Sequence, residues 1–234
     1  MADVTLQTTA TGVAVSQEVS MRWDHTIDAT LGSQGRALVV FVGGTTGVND
    51  KPTLTSATYA GQSMTLLYVN ANFGPEPVAY IAFLENPPTT VSGEIEVTFD
   101  ELLGMNGFSA YFSSVDTSGS NPRDNSTIVT GPIGPIDHRI DLDFTTVNDR
   151  ATVIDLCAAQ GSTSKAHIVS AEQTRIGAWA GFGGGPSFSA STQPVISGGT
   201  TVNMERTETG GTGAGVILKA FAFKTTPRRI HAVN

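Results

Sequence analysis

A chain of 234 residues is long enough to bury a sizeable core, as one large domain or two small ones. Only 15% of residues are charged and 39% are apolar; 31 Thr, 19 Ser and 26 Gly fill much of the rest, a mixture that excludes coiled coils and helical bundles. A net charge of −8 argues against a nucleic-acid partner, and 21 Val and 11 Phe in compact runs argue against disorder.

In chain order, Met1–Leu6 shows neither the basic nor the apolar region of a signal peptide, so synthesis in a cytosol is expected. No apolar run approaches the roughly 20 residues that span a bilayer, and no membrane partner is expected. Short apolar or alternating runs, cut about every ten residues by Gly, Pro, Asn, Asp or Ser, predict strands throughout. They fall at 12–15, 19–23, 36–42, 54–59, 63–69, 78–84, 93–99 and 108–115. The second half continues with 126–129, 136–144, 151–157, 168–174, 177–182, 200–205 and 213–223. Asp100–Leu103, closed by Gly104, is the one segment that reads as a helical turn.

Ile95, Val97 and Phe99 alternate with Glu94, Glu96 and Thr98, the pattern of a strand with one buried and one acidic face. Val39-Val40-Phe41 and Val153-Ile154 are continuous, which predicts strands covered on both sides. The expected fold is all-β, a two-sheet antiparallel β-sandwich of jelly-roll or Greek-key type. Residues 1–226 are expected to form a single domain, with 116–135 as a long crossover, a two-domain boundary there being the alternative. The predicted core includes Leu38, Val40, Tyr59, Leu66, Ile81, Phe83, Val97, Phe99, Phe112, Ile154, Leu156 and Leu218.

Residues able to do chemistry are few. Asp116-Thr117-Ser118-Gly119 has one residue too many for an aspartic-protease loop and no second copy, so Asp116 reads as a turn cap. Asp137, Asp141 and Asp143 share one strand face and could offer oxygen ligands to Ca²⁺, although an exposed acidic face is the better expectation. Asp24, His25 and Asp28 form the one other compact group, which reads as a structural histidine with partners. Gly181–Pro186 is rich in glycine but lacks the Lys-Ser/Thr of a phosphate loop. Cys157, the only cysteine, lies in an apolar run with no basic neighbour and reads as an inert core thiol. Tyr59, Tyr68, Tyr80, Tyr111 and Trp23 fall in strand patterns and read as core, whereas Trp179 beside the Gly-rich loop is the candidate for stacking on a sugar. No catalytic set, metal or cofactor is expected.

Several of these elements resemble a β-sandwich family of the jelly-roll kind, found in phage structural proteins and bacterial surface proteins. The resemblance rests on Arg36-Ala37-Leu38-Val39-Val40, Thr58–Thr65 and Leu84-Glu85-Asn86-Pro87-Pro88. It continues through Gly93–Phe99, Ser113-Ser114-Val115-Asp116 and Ala214–Lys219. It implies a non-enzymatic bacteriophage virion structural protein, a capsid decoration, fibre or tail component. Such a protein would be made in the host cytoplasm, reside in the virion, and associate with itself and with other virion proteins. The alternative is a carbohydrate-binding module or adhesin that holds a host glycan. Residues 227–234 are expected to be a docking tail. No acid follows Glu208, while Lys219, Lys224, Arg228 and Arg229 do, and Pro227 should stop the last strand. Lys224, Arg228, Arg229 and Ile230 are the candidate docking residues.

Overall fold

Alternating and continuous apolar runs become strands of two kinds, one-sided and two-sided, and the distinction organises the whole molecule. The computed structural model describes residues 4–12, 15–28, 35–45, 52–68, 77–89, 92–118, 123, 129–130, 139–159, 166–169, 171–180, 187–209 and 216–225. Among them the chain forms antiparallel strands and no helix. The first eight are β1 (Thr5–Thr11), β2 (Val15–His25), β3 (Arg36–Thr45), β4 (Leu54–Tyr59), β5 (Gln62–Ser63), β6 (Thr65–Tyr68), β7 (Pro77–Glu85) and β8 (Gly93–Ser113). The others are β9 (Val129–Thr130), β10 (Arg139–Thr145), β11 (Ala151–Ala159), β12 (Ala166–Val169), β13 (Thr174–Ala180), β14 (Ser187–Val195), β15 (Thr201–Thr209) and β16 (Val216–Lys224).

The all-β expectation holds, with three sheets in place of two. β1 to β8 form one eight-stranded sheet, β13-β14-β11-β16-β9 a second, and β10-β15-β12 a third. β8 makes the first sheet fold over on itself. Its N-terminal half pairs with β2 and β4, while its C-terminal half pairs with β3 and β1. The corner between the halves is Asp100–Gly104, the segment read as a helical turn; it is strand, because a chain switching layers keeps its extended backbone through the bend.

The result is four β layers separated by three apolar cores. Met21, Trp23, Ile95, Val97 and Phe99 of the first layer pack on Leu38, Val40, Tyr80 and Tyr111 of the second. The opposite face of the second layer, with Val39, Phe41, Ile81, Phe83, Phe108 and Phe112, meets Ile154, Leu156, Phe188, Phe221 and Phe223 of the third. Val153, Cys157, Val195 and Leu218, on the far side of that third layer, meet Phe144, Val202 and Met204 of the fourth. Strands β3 and β11 are thus buried on both faces, as their continuous runs predict, and each large side chain enclosed there contributes about 1.5–3 kcal/mol. Phe223 is edge-on to Phe83 at 5.8 Å and to Phe112 at 6.2 Å, tying the third layer to the second. Gly43 lets the two inner layers approach closely: a Cβ there would lie 1.8 Å from Cε1 of Phe188.

Of the predicted core, Leu66 alone is only half-buried, at the margin of the first core; the other eleven are buried. Two strands have no counterpart among the expectations. β1 has a mixed, largely polar sequence; of the strand placed at 12–15, Gly12 follows β1, Val15 begins β2, and 13–14 lie outside the described residues. β14 carries Ser189, Ser191 and Gln193 facing the interior, and Pro194 beyond the last residue paired to β13. The strand expected over 168–174 is interrupted by a turn at 171–172 that separates β12 from β13.

Candidate functional site

Each of the three cores encloses a histidine, lysine or aspartate side chain tied down by hydrogen bonds. In the first, β2 alternates strictly from Met21 onward, so Met21, Trp23 and His25 point inward while Arg22 and Asp24 face solvent. His25 is 1% exposed. Its Nδ1 lies 2.7 Å from Ser109 Oγ, and its Nε2 lies 2.8 Å from Thr8 Oγ1. Trp23 Nε1–H donates to the same Ser109 Oγ at 3.0 Å, and the hydroxyl of Tyr59 donates to the His25 carbonyl at 3.1 Å. Each ring nitrogen thus meets a hydroxyl, which can donate or accept, so both are satisfied in a neutral imidazole. Burial pushes the imidazole down from 6.5 to about 4, so it is neutral at ordinary pH.

Lys219 occupies the second core. It is fully buried, and its Nζ crosses from the third layer to donate to the Ala79 carbonyl of β7 at 2.7 Å. Burial holds the ammonium well below its usual range. Asp155 occupies the third. Its Oδ1 accepts from the backbone N–H and the hydroxyl of Ser191, both at 2.9 Å, and its Oδ2 from Gln173 Nε2 at 3.3 Å. Gln173 Oε1 in turn accepts the backbone N–H of Glu205 at 3.2 Å, so this network joins β11, β14 and β15.

The serine–histidine pair has the distances of an activated nucleophile, but Ser109 is fully buried between β1, β2 and β8. What the three arrangements do chemically is fix strand to strand. A buried polar group without a partner costs about 1–3 kcal/mol, so each network favours the one register that satisfies it.

The residues singled out from sequence disperse. His25 has partners, as expected, but they are Thr8 and Ser109; Asp24 lies on the opposite face of the strand, and Asp28 is exposed. Asp116 is a turn cap: its Oδ1 accepts from the backbone N–H of Ser118 at 3.0 Å and from its hydroxyl at 2.6 Å. Cys157 is buried in the third core. Trp23, Tyr59, Tyr80 and Tyr111 are core residues. Asp143 is exposed and accepts from Asn203 Nδ2 at 2.8 Å; Asp141 occupies the same face of β10, and Asp137 lies outside the described residues. Among the described residues no three His, Cys, Asp or Glu side chains are grouped as metal ligands. Trp179 is on β13, an edge strand, opposite Phe188; its side chain lies outside the described portion, as do most of the Gly-rich segment and the side chain of Tyr68. Lys224 ends β16, partly exposed, with its carbonyl accepting from Asp116 N–H at 2.8 Å. Arg228, Arg229 and Ile230 lie outside the described residues.

Lys219 and Asp155 were missed as buried groups. The signal was present in each case, a lone charge inside a run otherwise uncharged and largely apolar, 151–159 and 216–223. No known protein family, curated protein or solved structure matches the chain.

Proposed function

We propose that this chain is a non-enzymatic structural component of a bacteriophage virion, a capsid decoration, fibre or tail protein built on a jelly-roll-type sandwich. It acts by symmetric association with copies of itself and with other virion proteins. The observation that carries this reading is the use made of His25, Lys219 and Asp155. The three groups most able to do chemistry are each enclosed between layers and committed to holding strands in register. A stack of four layers joined by three cores suits a rigid, load-carrying part. The protein is made in the host cytoplasm and resides in the particle. The test is location: particles purified by density should contain the protein in fixed ratio to the major capsid or tail protein. Recovery only as free protein in infected or host cells defeats the reading.

The alternative is a carbohydrate-binding module or adhesin. Its motivation is Trp179, a flat aromatic of the kind that stacks on sugar rings, carried on the edge strand β13. A glycan array separates the two, with loss of any signal on Trp179→Ala required for the adhesin.

A further inference from the structure

A sheet edge is a row of backbone N–H and C=O groups left without partners, and β proteins blunt their edges by keeping the outer strand short or by breaking its register. Each of the four layers ends in two outer strands. β5 and β9 are two residues long, β6 and β12 four. β1, β2 and β13 are longer, and each carries a register shift against its neighbour. β10 is the exception among the described residues. Its seven residues pair with β15 without interruption, from Arg139 opposite Thr207 to Thr145 opposite Thr201.

The alternation of this ladder shows which groups of β10 face outward. Thr146 N–H donates to Thr200 O at 3.0 Å in the same register, so the even-numbered residues of β10 bond toward β15. Arg139, Asp141, Asp143 and Thr145 therefore turn their N–H and C=O groups to the other side. The Thr145 and Thr201 hydroxyls, 2.7 Å apart, agree with this, because side chains come closest at a pair that exchanges no backbone bonds. β15 is served on both sides: its odd-numbered groups turn to β12, and just past the end of β12 the Glu205 N–H is taken up by Gln173 Oε1 at 3.2 Å. Among the described residues β10 has a strand partner on one side alone.

Charge decides what this edge accepts. Asp141 and Asp143 hold two of the outward positions; Asp143 is exposed, and the bond it accepts from the neutral Asn203 amide at 2.8 Å leaves its charge in place. A second copy is a poor occupant. Outward groups pair only with outward groups, so two β10 strands related by a two-fold axis and overlapping over most of their length centre on Asp141, Leu142 or Asp143. Each centring sets an aspartate opposite an aspartate, which is destabilising. No other stretch of the chain fits either, since no two of its 13 Lys and Arg residues are spaced by two positions.

We propose that the open edge of β10 takes an extended segment of a different polypeptide, one with Lys or Arg at two alternate positions, which adds as the outermost strand of the fourth layer. Backbone bonds hold the segment, the two cations pair with Asp141 and Asp143, and its other face lies on the side of Leu142 and Phe144, toward the third core. This rests on the association reading above and names the surface and the chemistry of the partner.

The test uses the full chain and the peptide acetyl-Thr-Val-Lys-Val-Lys-Val-Thr-amide, followed by amide hydrogen exchange and by magnetic-resonance titration to millimolar peptide. In the free protein the Asp141, Asp143 and Thr145 amides should exchange faster than those of Leu142 and Phe144, and added peptide should slow them and shift their signals. Glutamate in place of both peptide lysines, or Asp141→Asn together with Asp143→Asn, should weaken binding about three- to tenfold, and raised salt should act in the same direction. Asp143→Pro removes one outward N–H and none that bonds β15, so it should weaken binding about tenfold while the β15 signals stay in place. Outward amides already protected in the free chain overturn the proposal, as do peptide-induced shifts away from β10 or binding indifferent to the sign of the peptide. The virion reading is scored separately, by where the wild-type protein is found. Protein recovered only free in cells defeats that reading and leaves strand addition at β10 standing; protein found in particles does not rescue an edge that takes no peptide.

Discussion

His25 offers a measurable link between pH and stability. Its imidazole titrates near 6.5 in an unfolded chain and at about 4 in the folded one. Between these values the unfolded state binds the proton and the folded state does not, so folding stability is lost as pH falls through that window. The full effect is about 3.4 kcal/mol, of which about 2 kcal/mol disappears between about pH 7.5 and pH 5. Carboxylates and the other histidines also titrate as the solution is acidified, so wild type alone is not diagnostic. The measurement is denaturant unfolding across that range for wild type and His25→Gln, which keeps a polar group near Thr8 and Ser109 but cannot take the proton. Shared titrations cancel in the difference. The variant should be less stable at neutral pH, and its deficit should shrink by about 2 kcal/mol by pH 5. Parallel profiles would refute the enclosed neutral imidazole.

Gly43→Ala should cost about 1–3 kcal/mol or more, since its methyl meets the Phe188 ring; in a Phe188→Ala background most of that cost should vanish, a coupling read from a double-mutant cycle. Asp155→Ala removes the acceptor of the Ser191 and Gln173 donors and should cost about 1–3 kcal/mol or more in urea unfolding, whereas an equal substitution at exposed Asp143 should stay within about 0.5 kcal/mol. Lys219→Met removes a buried amine whose folded pKa is lowered, so wild-type stability falls as pH drops from 10.5 toward that lowered value. The variant's stability relative to wild type should therefore be greater at pH 7 than at pH 10; a constant difference would show that burial does not perturb the amine.

Layer membership was legible where burial is purely apolar. Val39-Val40-Phe41 announces a strand covered on both faces, and Ile95, Val97 and Phe99 announce one covered on a single face; both hold. The number of sheets was not legible, because a strand that turns a corner reads as two. Asp100-Glu101-Leu102-Leu103 breaks the alternation at the point where β8 passes between layers. β14 was hidden for a different reason. Ser189, Ser191 and Gln193 alternate with Phe188 and Ala190 as if they faced water, yet all three are buried. For Ser191 the solvent is Asp155, thirty-six positions away in the chain, and no local pattern carries that information.

The same fact explains why these polar groups occupy a core that hydrophobic side chains could fill. Neighbouring two-sided strands such as β11 and β16 present apolar atoms on both faces, so a slipped register still buries grease against grease. Apolar packing alone therefore discriminates poorly among registers in the inner layers. Satisfiable polar groups in each core change the balance. With Asp155 opposite Ser191, a slip leaves a carboxylate and its donors unpaired; with Lys219 under the Ala79 carbonyl, a slide of one sandwich over the other strands an amine. His25 does the same for β1 and β2 on β8, where the ladders already carry irregularities between Leu6 and Thr8 and between Val15 and Ser20. Replacing all three together with their side-chain partners by apolar residues of similar volume should preserve overall stability better than any single change that leaves a partner unpaired, while broadening the range of strand pairings, visible as lost dispersion in amide spectra.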